Sequence, residues 1–418
     1  MLRDYIELPL PVRILCLGSL INRAGSFVLI FLTIYASEEM GFGVRFATAC
    51  MGVLGLGSMV GSILGGHLAD QVGRRIVMLI ALIGGAMLLL LIGTMQNRWG
   101  FMAAVGLFAI VSDMYRPAAA AMIADHVDVD RRPHAFALMY ISVNLGFAVA
   151  PPLGGLFAEF SFRLLFWGDA ITTLLYGMII FAVIRESLPN RTVPIKDASC
   201  PRNIAPLRQA AAHIASDTPF VLFCLSTLLI EIVFMQGMST LPIHIRQSGF
   251  NNLQFGLLMS INGLLIFLLQ LPITHWLHRF NAMSVVSAGC VLIAIGFGLC
   301  MLEGGFAFIA LTIAIWTLGE ILQAPFMQSI VTDMAPVELR ARYLGLFGMC
   351  YALAMTIGAP VGGEVLSRFG PKVLWGGTLV IAIIAVTLYL AIHRSITRRI
   401  DTYNELSDSN LVTEASPQ

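Results

Sequence analysis

The sequence predicts an all-α integral membrane protein in which twelve transmembrane helices form two six-helix, pseudo-symmetric bundles. Three observations predict it. The first is composition: of 418 residues, 58% are hydrophobic and 12% charged, with mean hydropathy +0.84. Soluble globular chains carry roughly 25% charged residues. The second is length, because apolar runs of about 20 residues, enough to cross a bilayer, recur twelve times. The third is an internal repeat at one offset of 208 residues.

The spans are expected near residues 12–35, 44–69, 75–95, 99–122, 134–159, 163–185, 219–245, 253–277, 283–302, 305–328, 341–366 and 372–393. No small-residue cleavage site follows the first run, so it reads as a retained helix. The longest polar interval, rich in Pro, Arg and Ser, separates the spans six and six. This gives an N-terminal bundle (1–185), a cytoplasmic linker (186–218), a C-terminal bundle (219–393) and a polar tail (394–418) expected to fray. A short surface helix is conceivable over Leu207–Ala215. With the N-terminus inside, the cytoplasmic segments hold 17 of the 25 Lys and Arg residues, the outer segments 6 and the spans 2 (Arg23 and Arg116). That bias places both termini in the cytoplasm.

The repeat fixes the architecture. Pro152-Leu153-Gly154-Gly155 matches Pro360-Val361-Gly362-Gly363, and Trp167-Gly168 matches Trp375-Gly376. At the same offset Gly55 meets Gly263, Pro117 meets Pro325, Asp125 meets Asp333 and Arg132 meets Arg340. Two parallel halves related by an axis along the membrane normal place a binding site at midplane between them.

The most specific motif lies between spans 2 and 3, where Gly66 to Arg75 reads G-x-L-A-D-x-x-G-R-R. Gly73 permits the turn, Asp70 closes the incoming helix, and Arg74 and Arg75 hold the loop in the cytoplasm. The second half carries a degraded copy from Thr274 to Met283, with His278 for Asp70 and Asn281 for Gly73. The spacing resembles the helix 2–3 loop of the major facilitator superfamily, and the resemblance covers nearly the whole chain from Val12 to His393. It implies that Asp70 faces the start of helix 11 and that Gly66, Asp70, Gly73, Arg74 and Arg75 latch the cytoplasmic side in the outward-open state. The alternative is that these residues only set topology.

A second motif, Gly146-Phe147-Ala148-Val149-Ala150-Pro151-Pro152-Leu153-Gly154-Gly155, resembles the fifth-helix motif of the twelve-helix drug:proton antiporters, with Ala150 in place of the middle Gly. Pro removes a backbone hydrogen bond and small residues let helices approach, so Gly146, Pro151, Pro152, Gly154 and Gly155 make a bendable contact. The resemblance favours export by antiport over uptake by symport.

Five charges sit deep in spans: Arg23 (span 1), Asp113 and Arg116 (span 4), Glu231 (span 7) and Glu320 (span 10). Each costs at least about 2.5–3.5 kcal/mol at the bilayer centre, so each should face protein or water. In the implied fold, helices 1, 4, 7 and 10 line the central cavity, and these charges fall on them and on no others. Asp113 and Arg116 share a helix face and can pair; Arg116 is also the nearest candidate for the family's fourth-helix arginine. Arg23 has Asp113 or Glu231 as prospective partners. A carboxyl group in a mostly apolar cavity can exchange a proton near neutral pH, which makes Asp113, Glu231 and Glu320 the proton-carrier candidates. A set of buried structural pairs is the alternative. Asn22, Asn144, Gln236, Asn262 and Gln323 are candidates for substrate hydrogen bonds, though such groups also hold membrane helices together. Asp125 and Asp333 read as helix caps, and Asp169 and Glu364 receive no role.

Several classes are disfavoured. Net charge +1 supplies no basic surplus for nucleic acid. No G-x-x-x-x-G-K-[ST] loop exists for ATP, no nucleophile–base set lies on the loops, and the seven cysteines form no C-x-x-C pair or metal spacing. The expectation is therefore a secondary transporter, not an enzyme, with no cofactor or metal and the proton gradient as its energy source. It would work as a monomer in the lipid bilayer, moving a small-molecule substrate and protons. Proton-coupled efflux of small amphipathic compounds is the first reading, and transport of one sugar, peptide or organic anion the second. A non-transporting sensor or assembly factor is a third. Short loops favour a bacterial inner membrane.

Overall fold

The structure, a computed structural model, describes residues 8–128, 131–187, 213–336 and 339–414. Span 1 covers Leu10–Glu39, span 2 Val44–Val72, span 3 Arg74–Ile92, span 4 Arg98–His126, span 5 His134–Phe160 and span 6 Arg163–Val183. After the linker, span 7 begins at Thr218 and reaches Ser239. Span 8 covers Asn252–Leu277, span 9 Ala282–Leu299 and span 10 Phe306–Met334. The last apolar stretch, Arg342–Ile400, is the eleventh in chain order and the longest, at 59 residues. It is broken at Gly370, whose φ of 80° and ψ of 177° lie outside the helical region, so it makes spans 11 and 12. All positive-φ residues among those described are glycines, because a Cβ is disfavoured in that region.

Local sequence explains where the helices start. Asn97 accepts from the N–H groups of Trp99 and Gly100 at the start of span 4. Asn251 and Gln254 form a capping box for span 8, and Asn281 caps span 9. Three spans are interrupted. Span 1 stops at Ala24 and restarts at Phe27, span 4 breaks at Met114, and span 7 breaks at Met235 and is followed after Thr240 by a short helix, Leu241–Gln247. Span 5 stays helical through Pro151 and Pro152.

Twelve crossings put both ends of the chain on one side, called here the terminal face. Most of the expected linker, including most of the conceivable helix 207–215, lies outside the described residues; a helical turn occupies 213–216. The tail departs from expectation, because the backbone of span 12 continues as helix to Glu414. No Gly or Pro intervenes between Gly377 and Pro417, so nothing in the backbone forces an earlier stop.

The two halves meet through glycines, as the repeat requires. A Cβ on Gly55 of span 2 would stand 2.9 Å from Thr356 Oγ1 of span 11, and one on Gly263 of span 8 would stand 2.6 Å from Ala148 N of span 5. These are one contact seen twice, since Gly55 and Gly263, like Ala148 and Thr356, are 208 residues apart. Gly155 likewise abuts Asn252 and Leu253, and Gly363 abuts Thr48.

Polar contacts between the halves gather at the face away from the termini. Arg246 Nε and Nη2 each lie 3.1 Å from Glu38 Oε2. Arg45 pairs with Glu364 at 3.0 Å, and Glu364 also pairs with Arg368. The Glu159 carboxylate accepts from Asn252 N (2.7 Å) and Leu253 N (3.3 Å), neutralising the start of span 8. Phe31 packs edge-on against Phe255 beneath them. These contacts between the halves lie at the far face, whereas Gly345 and Gly348, in the terminal-face part of span 11, line the cavity and border open space.

Candidate functional site: a midplane cavity between the halves

The cavity occupies about 680 Å³ and is walled by spans 1, 2, 3, 4 and 6 of the first half and span 11 of the second. Its polar groups include Asn22, Arg23, Ser58, Asp113, Arg116, Asp169 and Tyr351, and its apolar wall includes Met59, Phe108, Met349 and Met355. Residues 344–355 of span 11 and 108–116 of span 4 carry it from midplane toward the terminal face.

The break in span 1 shapes the inner end. Gly25 lets span 1 press against span 6, where a Cβ would stand 2.6 Å from Thr172 Cβ. Gly146 of span 5 admits span 1 from the other side, 2.6 Å from Arg23 Cβ by the same measure. Arg23 therefore lies in the last turn of the first half-helix, at the cavity wall.

Asp113 and Arg116 pair at 3.2 Å, as their spacing predicts, with Asp113 mostly shielded (18% exposed) and Arg116 open to the cavity (61%). Arg23 forms no ion pair among the described residues. Of its two prospective partners, Asp113 is a charged neighbour and Glu231 is not; Asp169 takes that place. Glu320 accepts from Asn262 Nδ2 at 2.8 Å, and the same amide reaches Thr317 Oγ1 at 3.2 Å. Glu231 lies near Glu320 in the second half.

Glu231 of span 7 and Glu320 of span 10 are not among the residues that line the cavity; the second half contributes residues of span 11 instead. Tyr351 of span 11 lies between the two charge groups in the electrostatic sense that both influence it. Arg23, Asp113, Arg116, Glu231 and Glu320 all lie within electrostatic reach of its half-exposed phenol. Sequence inspection had no signal for Tyr351, which looks like one aromatic among many. The expectation that deep charges fall only on spans 1, 4, 7 and 10 also needs correction, because Asp169 of span 6 is 5% exposed and lines the cavity. Asp169 stands only six residues into span 6.

The polar candidates divide. Asn22 lines the cavity and donates to Thr173 Oγ1 at 2.8 Å. Asn262 orients Glu320. Gln323 is buried and accepts from Cys290 Sγ at 3.2 Å. Gln236 is buried and consumed in packing, donating to Ile232 O and Gly358 O and accepting from Thr240. Asn144 donates to Tyr140 O within its own helix.

The fifth-helix motif splits its small residues between two neighbours. Gly146 faces Arg23 and Gly154 faces Phe27 and Phe31 of span 1, while Gly155 faces span 8. Gly256 of span 8 lies against the Pro151 carbonyl and Pro152 Cα. In the loop between spans 2 and 3, Gly73 turns the chain at φ 110°, and a Cβ on Gly66 would stand 3.9 Å from Pro117. Arg74 pairs with Asp125 at 3.2 Å and Asp70 at 3.4 Å. Glu186 accepts from Arg74 N (2.8 Å) and Arg75 N (3.1 Å), capping span 3, and Arg75 donates to Phe181 O. Asp125, which read as a simple cap, is thus the partner that ties the loop to span 4. Asp70 is three-quarters exposed. Among the described residues no three His, Cys, Asp or Glu side chains gather as a metal centre requires.

The sequence profile of the Major Facilitator Superfamily matches residues 15–359 and, in a second register, 223–405. Relatives include a Na⁺, Li⁺, K⁺/H⁺ antiporter of Planococcus maritimus, 26% identical over 81% of this chain and 85% of that protein. They also include the multidrug resistance protein MdtH of Salmonella typhimurium, 21% identical over 88% of this chain and 90% of that protein. Among solved structures, a POT family transporter in complex with a thioalcohol-conjugated peptide superposes with TM-score 0.79 at 17% identity, covering 94% of this chain and all of that one. At that identity the likeness speaks for the fold alone. A matched profile along nearly the full chain, two six-span halves and a cavity between them establish that the chain belongs to the major facilitator superfamily and is a membrane transporter, not an enzyme.

Proposed function

We propose that the protein is a proton-coupled exporter of small amphipathic compounds working by alternating access. The observation that carries this reading is the cavity itself. An adaptable wall of Met59, Met349, Met355 and Phe108 shares the cavity with Arg23, Asp113, Arg116, Asp169 and Tyr351. Such a lining takes apolar bodies of varied shape and leaves the acids to exchange protons. Kinship with an antiporter and a multidrug resistance protein supports the same reading.

In the proposed cycle the halves rock about the cavity. Protonation of cavity acids from outside favours substrate release there, and deprotonation toward the cytoplasm resets the carrier. Coupling demands that proton and substrate stabilise the two states differently. The termini face the cytoplasm of a bacterial inner membrane, so this structure is the inward-facing state. The loop of Asp70, Arg74 and Arg75 engages span 11 in the opposite state. A monomer driven by the proton gradient suffices, without ATP or cofactor.

The test uses everted vesicles, a lipophilic cation dye and the variants Asp113→Asn, Glu231→Gln and Glu320→Gln. Dye movement linked to protons in wild type, and lost in at least one variant, is the expected result. A wild type that moves neither dye nor protons ends the multidrug reading. The second reading, a single anionic metabolite, is favoured by Arg23, whose guanidinium forms no ion pair among the described residues; Arg23→Gln should then abolish transport of that anion.

A further inference from the structure

We propose that Asp169 is a proton-exchange site of the transport cycle and that it controls the bend in span 1. The inference rests on the proton-coupled part of the reading above and not on the substrate.

Asp169 is placed where span 1 is broken. Its Oδ2 accepts from Val28 N at 3.2 Å, one of the N–H groups left without a helical partner when the helix restarts at Phe27. Its Oδ1 accepts from Thr173 Oγ1 at 3.4 Å, and Thr173 accepts in turn from Asn22 of span 1. The carboxylate is 5% exposed, has no ion pair within 4 Å among the described residues, and still borders the cavity. A purely structural cap would gain nothing from standing at a water-accessible wall.

The charged groups that face it are few. Span 1 contributes Arg23, whose other acidic neighbour is Asp113 of span 4, already paired with Arg116. Span 3 contributes only Ala81, Leu82 and Gly85 to that part of the cavity. Arg23 therefore stands between two acids, one engaged and one not.

Position gives Asp169 access to both sides in turn. Here it lies at the inner end of a cavity leading to the terminal face. It is six residues from the start of span 6, so about 9 Å of helix separates it from the far face. Phe27 against Phe157 and Phe31 against Phe255 close that route. Opening the far face would part the second pair and bring water to the carboxylate from the other side.

The chemistry is one proton. Asp169 carboxylate and hydronium give the carboxylic acid and water, and the reverse step returns the proton on the opposite side. The ionised form holds Val28 N–H and the positive end of the half-helix 27–34, and attracts Arg23. The neutral form weakens both, leaving Arg23 to Asp113 and span 1 free to change its bend. Proton occupancy and the shape of span 1 are then linked in both directions.

The test is infrared difference spectroscopy of the purified full chain between high and low pH, with no substrate present. Wild type should gain a protonated-carboxyl band on acidification that Asp169→Asn lacks by one carboxyl equivalent. Thr173→Val, which keeps the shape but removes the hydroxyl, should shift that band without abolishing it. A fluorophore on Ser26→Cys should respond to acid in wild type and not in Asp169→Asn. An unchanged band in folded Asp169→Asn overturns the proposal. If that variant does not fold, an unmoved band in Thr173→Val does so instead. Because no dye is involved, failure of the multidrug reading leaves this result standing, and the reverse also holds.

Discussion

Glycines at the contact between halves show how single residues govern movement. Gly155 lies against the Asn252 and Leu253 backbone, with a hypothetical Cβ 2.9 Å from Leu253 Cα. Backbone cannot yield as a flexible side chain can, so Gly155→Val should push the halves apart at the far face. Overpacking costs about 1–3 kcal/mol, which corresponds to roughly a 5- to 150-fold shift of the equilibrium between the two states. Distances between spin labels on spans 5 and 8 should lengthen while each half stays folded. Position 155 and its partner 363 were legible in the sequence as a repeated Gly-Gly. Which neighbour each faces was not, because small residues carry no mark of their partner.

At the level of elements, the loop between spans 2 and 3 is the informative case. The motif announces a tight turn, and Gly73 at φ 110° makes it. Glu186, 112 residues further on than Arg74, then caps span 3 through two N–H groups. Glu186→Ala should destabilise the N-terminal half by about 0.5–2 kcal/mol, the usual effect of losing a cap. Gly73→Ala should also destabilise, since its Cβ would meet the same carboxylate in a disfavoured backbone region. Thermal unfolding of the purified protein measures both, and equal melting temperatures for wild type and variants would contradict the capping role. Sequence alone could not pair Glu186 with this loop, because the contact joins segments on opposite ends of four spans.

For the whole molecule, the decisive feature is the pseudo-twofold axis. Glu38 and Arg246 are 208 residues apart, so they are equivalent positions of the repeat, and they bind each other. Two equivalent positions can touch only close to the axis. This pair and Arg45–Glu364 must both part if the far face opens. Exposed pairs contribute about 0.2–1 kcal/mol each, so Glu38→Gln should raise the far-face-open population by roughly 1.4- to 5-fold. A Glu38→Cys, Arg246→Cys disulfide should instead hold the far face shut and stop transport until reduced. Thiol accessibility from each side, with and without reductant, reads out both.

The sequence by itself determined the membrane class, the number of crossings, the repeat and the superfamily. Each of these is written in local composition or in a fixed spacing. It also located the Asp113–Arg116 pair, because residues three apart on a helix must share a face. Only the tertiary structure decided which charges meet. It left Glu231 and Glu320 out of the cavity lining, brought Tyr351 within electrostatic reach of both charge groups, consumed Gln236 in packing, and brought Asp169 to the break in span 1. The physical reason is that these contacts depend on helix rotation and on close approach at Gly25 and Gly146. Rotation and approach are set by the packing of all the spans together, and no single stretch of sequence records them.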